Sequence, residues 1–165
     1  MHESGLTPLD EAMMVRALDL ADLALTRGQM PFGAVVTGAG GEILGEGHNL
    51  IRSALDPSAH GEIVAIREAC RRLGTRRLKG CTLYTSCEPC LLCSFVIVQA
   101  HIRRVVFAAR GRDMPTYRPL LEADFSEVAT WVNAQPGWPS VVVIGDVMRD
   151  RARETLVAFS RGEPG

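Results

Sequence analysis

The stretch CTLYTSCEPCLLCSFVIVQAHIRRVVFAA, residues 81 to 109, decides the fold of this 165-residue chain. It begins with a β-rich run, CTLYTS, which stops at a cluster of cysteines. Pro89 then opens an apolar helix that runs to about Ala100, because proline is tolerated in the first turn of a helix. A second β-rich run, RRVVFAA, follows the helix. This succession of strand, helix and strand predicts a βαβ crossover.

Periodic segments on both sides extend the same pattern. In chain order, the elements expected before the stretch are a helix at 9–27, a hairpin at 31–49, a loop at 51–59 and a helix from His60 that Gly74 ends. The elements expected after it are one or two short helices at 110–139, a strand at 140–146 and a helix from about Arg149 to Phe159. The alternation predicts a layered α/β fold, and no linker or repeat divides residues 1–165, so we expect a single domain.

The overall composition is typical of a globular protein. Hydrophobic residues make up 47% of the chain and charged residues 22%, and the formal net charge is −1. That charge gives the whole chain no electrostatic bias toward nucleic acid or an anionic membrane. The longest apolar run, around 91–98, is too short to span a bilayer, and the acidic N-terminal segment lacks the order of a signal peptide. We therefore expect a cytoplasmic protein without a membrane partner.

One segment departs from this charge balance. The run RRLGTRR together with Lys79 places five basic residues near one expected helix end. We favour the interpretation that these cations are solvated and complement the helix dipole. The alternative is a phosphate-binding patch.

The five cysteines need a chemical explanation, because an odd number in such a chain argues against a disulfide framework. Cys90 and Cys93 lie three apart at the start of the helix that Pro89 opens, so both thiols project from one face. The helix dipole there favours the thiolate form, which binds metal. Two thiolates and one imidazole, which His60 can supply, make a three-ligand zinc site with a fourth position left for water.

Other interpretations of the cysteines remain open at this point. A C-x-x-C motif also occurs in redox pairs, although that function would leave His60 and Glu62 unexplained. Cys87 is available as a fourth ligand, which would make the site closed and structural. Glu62 favours the open site, because a carboxylate two residues after a ligand histidine can exchange protons with an activated water. Alone, Glu62 would be an ordinary acid at a helix start.

The two motifs together resemble those of a known family. His60-Gly61-Glu62 followed by Pro89-Cys90-Leu91-Leu92-Cys93 matches the H-x-E and P-C-x-x-C signature of zinc nucleobase deaminases. The chain resembles the cytidine deaminase superfamily, and in particular the branch of guanine deaminases, fungal cytosine deaminases and tRNA adenosine deaminases. The resemblance covers about residues 9–109 and extends more weakly to the C-terminus.

This resemblance implies a fold, a cofactor and an assembly. The implied fold is a three-layer α/β/α sandwich with a central mixed sheet of about five strands, and relatives are commonly homodimers. It implies that His60, Cys90 and Cys93 hold Zn²⁺, that Glu62 is the catalytic proton shuttle and that Cys87 is not a ligand. The implied reaction is hydrolytic deamination of a ring carbon that bears an amino group, with release of ammonia.

The residues that bear on the substrate do not agree with one another. The strings GHN and HGE are similar to those of fungal cytosine deaminases, whereas YTSCEPC and DPSAHGE are similar to those of guanine deaminases. Asp146 matches an aspartate that holds the amino group in cytosine deaminases, but it suits the N-cap of the last helix equally well. The expected substrate-binding residues are Phe32, Asn49, Gly61, Glu88 and Asp146.

Two expectations about the substrate pocket have simple alternatives. The amide of Asn49 suits the edge of a base, but asparagine also forms turns at strand ends. In the segment 110–139, Phe125, Trp131 and Trp138 are candidates to cap a base pocket, although aromatic residues more often belong to the core.

The leading hypothesis is a deaminase of a free amino-nucleobase or a related heterocycle, cytosine-like or guanine-like. The second hypothesis is a tRNA-editing adenosine deaminase, although the C-terminal helix alternates arginines with acids rather than forming a basic surface. A third hypothesis, of another class, is a zinc-stabilised binding domain without catalysis.

Overall fold

A mixed sheet of five strands runs through the computed structural model, which describes residues 5–118 and 123–162. The strands are β1 (Gly33–Thr37), β2 (Ile43–His48), β3 (Thr82–Cys87), β4 (Arg104–Ala109) and β5 (Val142–Ile144). Their order across the sheet is β2-β1-β3-β4-β5. β1 pairs antiparallel with β2 and β3, whereas β3, β4 and β5 run parallel. The hairpin and the βαβ crossover predicted from the sequence therefore both form.

Six α-helices accompany the sheet in the described part of the chain. They are α1 (Pro8–Thr26), α2 (Ile51–Ala54), α3 (Gly61–Leu73), α4 (Leu91–Gln99), α5 (Phe125–Asn133) and α6 (Arg149–Arg161), and a 3-10 turn covers Gly111–Asp113. The short helix and the turn between β4 and β5 agree with the expectation for 110–139, of which residues 119–122 lie outside the described residues. Among the described helices, none has the length and apolar character needed to cross a membrane.

The prediction of a loop at 51–59 was wrong for its first four residues, which form α2. The side-chain oxygen of Asn49 accepts a hydrogen bond from the backbone N–H of Ile51 at 3.2 Å, which helps to start this single turn. Leu55 ends the turn in the left-handed conformation, with φ of 51°. Leucine prefers neither helix caps nor turns, so Leu55 gave no sign in the sequence that a helical turn ends there.

Alternation along β1 creates the two apolar layers. Ala34 and Val36 point to one side, where they pack in a cluster that includes residues of α3, α4 and α5. Val35 points to the other side and packs against residues of α1 and α6. Successive side chains of a strand face opposite sides of a sheet, so one hairpin strand contributes to both cores. This arrangement confirms the predicted three-layer α/β/α sandwich.

A buried carboxylate ties α1 to the centre of the sheet. Asp10 is 1% exposed and accepts hydrogen bonds from the Tyr84 hydroxyl at 2.8 Å and from two Arg104 nitrogens at 2.6 and 3.0 Å. It also caps the start of its own helix by accepting from the N–H and hydroxyl groups of Thr7. Although burial alone would raise the pKa of this carboxyl, the hydrogen bonds outweigh it and hold the pKa well below its usual range.

Replacement of Asp10 by asparagine tests this network. Asp10→Asn leaves the charge of Arg104 uncompensated, and we expect the free energy of unfolding to fall by about 3 kcal/mol at neutral pH, as for other broken buried ion pairs. The measurement is urea denaturation, with Asp19→Asn as control, since the exposed pair of Asp19 with Arg151 contributes about 1 kcal/mol or less.

The same variant should change the dependence of stability on pH. The folded-state pKa of Asp10 lies below its unfolded value, so its stabilising effect is complete above the unfolded pKa near 4 and is lost as pH falls through the folded value. The difference in stability between the wild-type protein and Asp10→Asn should therefore shrink below about pH 4. A difference that stays constant down to acid unfolding would contradict the role assigned to this carboxylate.

Candidate metal centre and active site

Two helix starts and one helical turn bring three possible metal ligands together. His60 is the N-cap residue of α3, Cys90 is the N-cap residue of α4, and Cys93 lies in the first turn of α4. The sequence predicted that Pro89 opens this helix, but the helix begins two residues later, at Leu91, so Cys90 is its N-cap residue. The Nδ1 atom of His60 lies 3.5 Å from Sγ of Cys90 and 3.4 Å from Sγ of Cys93.

These separations fit a zinc ion. Tetrahedral zinc binds thiolate sulfur at about 2.3 Å and imidazole nitrogen at about 2.0–2.1 Å, which places the two ligand atoms about 3.5 Å apart. The three ligand atoms all lie within 4.8 Å of one another. One nitrogen and two sulfurs are also a donor set that zinc prefers, and three protein ligands are typical of catalytic rather than structural zinc sites.

Cys87 does not belong to this cluster of possible ligands in the described residues. Its side chain is buried at the end of β3, and burial raises the pKa of its thiol, with nearby carboxylates adding to the effect. A raised pKa does not by itself separate Cys87 from the ligands, because the pKa of Cys93 is raised as well, by its hydrogen bond with Cys90 and by burial. A closed site of four protein ligands, one of the interpretations left open by the sequence, is therefore not favoured by the geometry.

Glu62 lies beside the cluster and faces the same cavity. It is 6% exposed and lines a pocket together with His60 and Cys90. Burial raises the pKa of its carboxyl to about 7, and the negative charge of Cys90 adds to this shift. A buried carboxyl group that borders both a ligand cluster and a cavity is well placed to accept and return protons at neutral pH.

The pocket encloses about 360 Å³, which is near the lower end of the about 300–1,000 Å³ typical of small-molecule sites. Its described wall opposite the ligands comes largely from the segment after β4, namely Gly111, Met114, Thr116, Tyr117, Arg118, Ala123 and Asp124. Sequence reasoning missed these residues, because their segment lacks a motif or strong periodicity. Met114, Thr116 and Tyr117 stand among prolines in no regular pattern, so the sequence gave no signal that they form a pocket wall.

Glu88 and Phe32 are predicted substrate residues that do line the pocket. Glu88 also fastens the pocket wall, because its carboxylate accepts from the backbone N–H groups of Gly111 and Phe125, each at 3.3 Å. Its own N–H donates to the carbonyl of Ala109 at 2.8 Å, which joins the ends of the parallel strands β3 and β4. Glu88, which lies between β3 and α4, thus contacts the backbone at both ends of the described pocket wall.

Asn49 and Gly61 lie close by but are not among the lining residues. Asn49 is buried, donates its N–H to the carbonyl of Phe32 at 2.9 Å and uses its side-chain oxygen to start α2. A Cβ atom on Gly61 would come within 3.0 Å of the Phe32 carbonyl oxygen. Because Gly61 has no side chain, the start of α3 can pack closely against the backbone that precedes β1. The absent side chain does not enlarge the described cavity.

Asp146 lies away from the pocket lining, where its carboxylate pairs with Arg110 at 2.9 Å and with Arg149 at 3.2 Å. The alternative interpretation, an N-cap for the last helix, was wrong, because Met148 is the N-cap residue of α6. Asp146 lies two residues before this N-cap residue, and its backbone is in the left-handed conformation, with φ of 64°. Its contact with a substrate amino group stays a prediction.

The three aromatic residues proposed as pocket caps are not among the described lining residues. Phe125 is buried in the core, whereas Trp131 and Trp138 are 60% and 42% exposed. The two tryptophans line a separate apolar groove with Phe95 and Val98 of α4. The aromatic side chain of this segment that does reach the pocket is Tyr117, whose ring packs against Gly111.

The family to which the chain belongs follows from comparison with known proteins. The model of a family described as the cytidine and deoxycytidylate deaminase zinc-binding region matches residues 7–109. Because this match covers more than half of the chain, the protein belongs to that zinc-dependent deaminase family. Membership confirms both the resemblance noted in the sequence and zinc as the cofactor that His60, Cys90 and Cys93 can hold.

Two curated relatives illustrate the spread of substrates in the family. The tRNA-specific adenosine deaminase of Aquifex aeolicus is 45% identical over 93 residues, which cover 56% of this chain and 61% of that protein. The guanine deaminase of Bacillus subtilis is 43% identical over 104 residues, which cover 62% of this chain and 66% of that protein. The chain therefore spans less than two thirds of the length of either relative.

Two solved structures also resemble the fold. One comes from a study of A-to-I editing by tRNA:A34 deaminases, with a TM-score of 0.73 at 31% identity over 87% of this chain and 98% of that one. Another was solved in complex with 2,6-diaminopurine, with a TM-score of 0.78 at 25% identity over 92% of this chain and 82% of that one. The comparisons thus show membership of a zinc-dependent deaminase family without selecting between free bases and tRNA.

Serine substitutions test which cysteines hold the metal. Cys90→Ser and Cys93→Ser should each reduce the zinc content of the purified protein well below one equivalent, because a serine hydroxyl is a much poorer zinc ligand than a thiolate. Cys87→Ser, the same change outside the cluster, should retain the full equivalent. The measurement is elemental analysis of protein purified in the presence of zinc. Loss of metal from Cys87→Ser would make that thiol a ligand.

Proposed function

We propose that this protein catalyses the hydrolytic deamination of a free amino-nucleobase or a closely related heterocycle of the cytosine or guanine class, with release of ammonia. The observation that carries the proposal is the buried carboxyl group of Glu62, which lies beside the His60, Cys90 and Cys93 cluster and faces the pocket. A non-catalytic zinc domain would have no use for a buried acid that faces a cavity, since burial of an ionisable group is costly.

His60, Cys90 and Cys93 would hold Zn²⁺, which supplies Lewis-acid activation of water when it is bound. Glu62 would take one proton from the attacking water and deliver it to the ring nitrogen. It would then move a second proton, from the new hydroxyl group on the ring carbon, to the amino group, so that the carbonyl forms as the C–N bond breaks and ammonia leaves. A carboxyl group with a pKa near 7 exchanges protons in both directions at neutral pH. The buried position of Glu62 also keeps bulk water from competing for these protons.

The charge of the pocket supports a small base rather than a polyanion as substrate. The described lining includes three acids, Glu62, Glu88 and Asp124, and one arginine, Arg118. Carboxylate oxygens accept hydrogen bonds from the amino and ring N–H groups of a base, whereas they repel phosphates. The ring of Tyr117 and the side chains of Met30, Phe32 and Met114 add apolar surface that suits a flat heterocycle.

A second candidate function is adenosine deamination in tRNA. The 45% identity to the tRNA-specific adenosine deaminase of Aquifex aeolicus supports it. The guanine deaminase of Bacillus subtilis, at 43% identity over a longer match, supports the leading proposal about equally well. The acidic lining of the pocket decides our preference.

Substitution of Glu62 tests the mechanism. Glu62→Gln keeps the size and polarity of the side chain but cannot exchange protons, so ammonia release should fall by about 100-fold or more, as expected for loss of general acid–base catalysis. Zinc content should stay at one equivalent. The matched control is Glu68→Gln on the exposed face of the same helix, which should keep full activity. Turnover by Glu62→Gln at the wild-type rate would exclude the proposed role.

A panel of substrates tests the class of compound. Ammonia release from cytosine, guanine, 2,6-diaminopurine and triazine rings is compared, as kcat/KM, with inosine formation in a tRNA transcript. We expect a free base to be the better substrate by at least about 100-fold, because a pocket built for one partner penalises the other when its groups stay unpaired. A higher kcat/KM for the tRNA would reverse the order of the two proposals, and zinc-loaded protein inactive on the whole panel would overturn both.

A further inference from the structure

Three loops meet at the end of the sheet opposite the active site. The parallel strands β3 and β4 end at Cys87 and Ala109, beside the pocket, and begin at Thr82 and Arg104. Six residues at about 3.3 Å per residue separate the two ends by roughly 15–20 Å. The loops before β3, β4 and β5 therefore form a surface distant from the pocket.

Backbone hydrogen bonds join these loops into one unit. The N–H of Leu78 donates to the carbonyl of Ala100 at 2.7 Å, and the N–H of Val142 donates to the carbonyl of Arg103 at 2.8 Å. Leu78 is buried, so it anchors the first loop while its neighbours point outward. The exposed groups of this surface are thus held in place by the fold.

The surface is strongly cationic. Arg76, Arg77, Lys79 and Arg103 are exposed, and within the described residues none of the four has a salt-bridge partner. They surround His101, whose pKa is lowered first by burial and then by the charges of these four residues. Of the basic run noted in the sequence, Arg71 and Arg72 lie in the last turn of α3, where cations complement the helix dipole, whereas Arg76, Arg77 and Lys79 lie beyond Gly74, which caps the helix.

An aromatic pair includes His101, on which the charges of these cations act. The rings of His101 and Trp138 stack with centroids 6.2 Å apart and planes inclined by 28°. Trp138 is 42% exposed, so part of its ring remains open to a ligand. We call the surface formed by Arg76, Arg77, Lys79, His101, Arg103 and Trp138 the cationic surface.

We propose that the cationic surface binds single-stranded RNA, with phosphates on the arginines and lysine and a base stacked on Trp138. Cations that follow the backbone, combined with an exposed aromatic ring on which a base can stack, are the features by which proteins bind single strands. Three of the four exposed cations are arginines, whose planar guanidinium groups bind phosphate in a bidentate manner. An acidic protein would use the charges but would not need the exposed stacked ring.

The proposal does not depend on which base the active site deaminates, since the two surfaces lie at opposite ends of the sheet. Cations spread over two loops, with Trp138 on a third, suit an extended chain of phosphates better than a single nucleotide. The test therefore uses the zinc-loaded protein, a fluorescently labelled oligouridine of about 12 nucleotides, and fluorescence anisotropy between about 50 and 200 mM salt.

Neutralisation of three cations is the first arm. Arg76→Gln, Arg77→Gln and Lys79→Gln combined should weaken binding about tenfold or more at low salt and make the slope of log K against log salt shallower by about 2. The matched control removes equal charge elsewhere, through Arg16→Gln, Arg67→Gln and Arg153→Gln combined, and should keep both affinity and slope. Both triple variants should release ammonia at the wild-type rate.

Removal of the stacked tryptophan is the second arm. Trp138→Ala should weaken binding about fivefold or more, as for the loss of one stacked base, whereas Trp131→Ala on α5 should not. The proposal is overturned if the wild-type protein does not bind the oligouridine at low salt. It is also overturned if the triple variant of the cationic surface and the triple control variant weaken this binding equally. Displacement of the oligomer by uridine monophosphate at equal nucleotide concentration would also overturn it, in favour of a free nucleotide.

Discussion

The meeting of two helix starts at one edge of the sheet is the constraint on which the active site depends. The start of α3 carries His60 and Glu62, and the start of α4 carries Cys90 and Cys93. The Nδ1 atom of His60 lies 3.4–3.5 Å from both sulfurs because a three-residue connection after β3 brings the start of α4 beside the start of α3. Small residues make that packing possible: a Cβ on Gly47 would come within 2.5 Å of the Gly61 carbonyl oxygen.

The rest of the pocket depends on a weaker type of constraint. Glu88 holds both ends of the covering segment by accepting from the N–H groups of Gly111 and Phe125. On its far side the 3-10 turn is tied to α6, because Asp113 accepts from two nitrogens of Arg149, each at 2.8 Å. Polar contacts of this kind hold the pocket wall in place without a recognisable sequence motif. The residues of the wall can therefore differ within a family, so that one scaffold can accommodate different substrates.

Charge divides the molecule into two regions with different chemistry. The described pocket lining is mostly acidic and apolar, while the opposite end of the sheet presents exposed cations near a stacked aromatic pair. A net charge of −1 conceals this separation, because the sum over a chain says nothing about where the charges lie. The two ends can therefore bind different partners without competing.

The sequence by itself predicted the layered fold, a three-residue ligand set and the reaction class. His60, Glu62, Cys90 and Cys93 carry chemistry in their spacing, and the βαβ pattern follows from local periodicity. Tertiary structure alone decided the contacts of Asp146 and Trp138, since each depends on a partner far along the chain. Asp146, for example, is paired with Arg110, 36 residues away. Contacts between distant segments leave no local pattern, so only the folded chain shows that Tyr117 reaches the pocket and that Trp131 and Trp138 lie elsewhere.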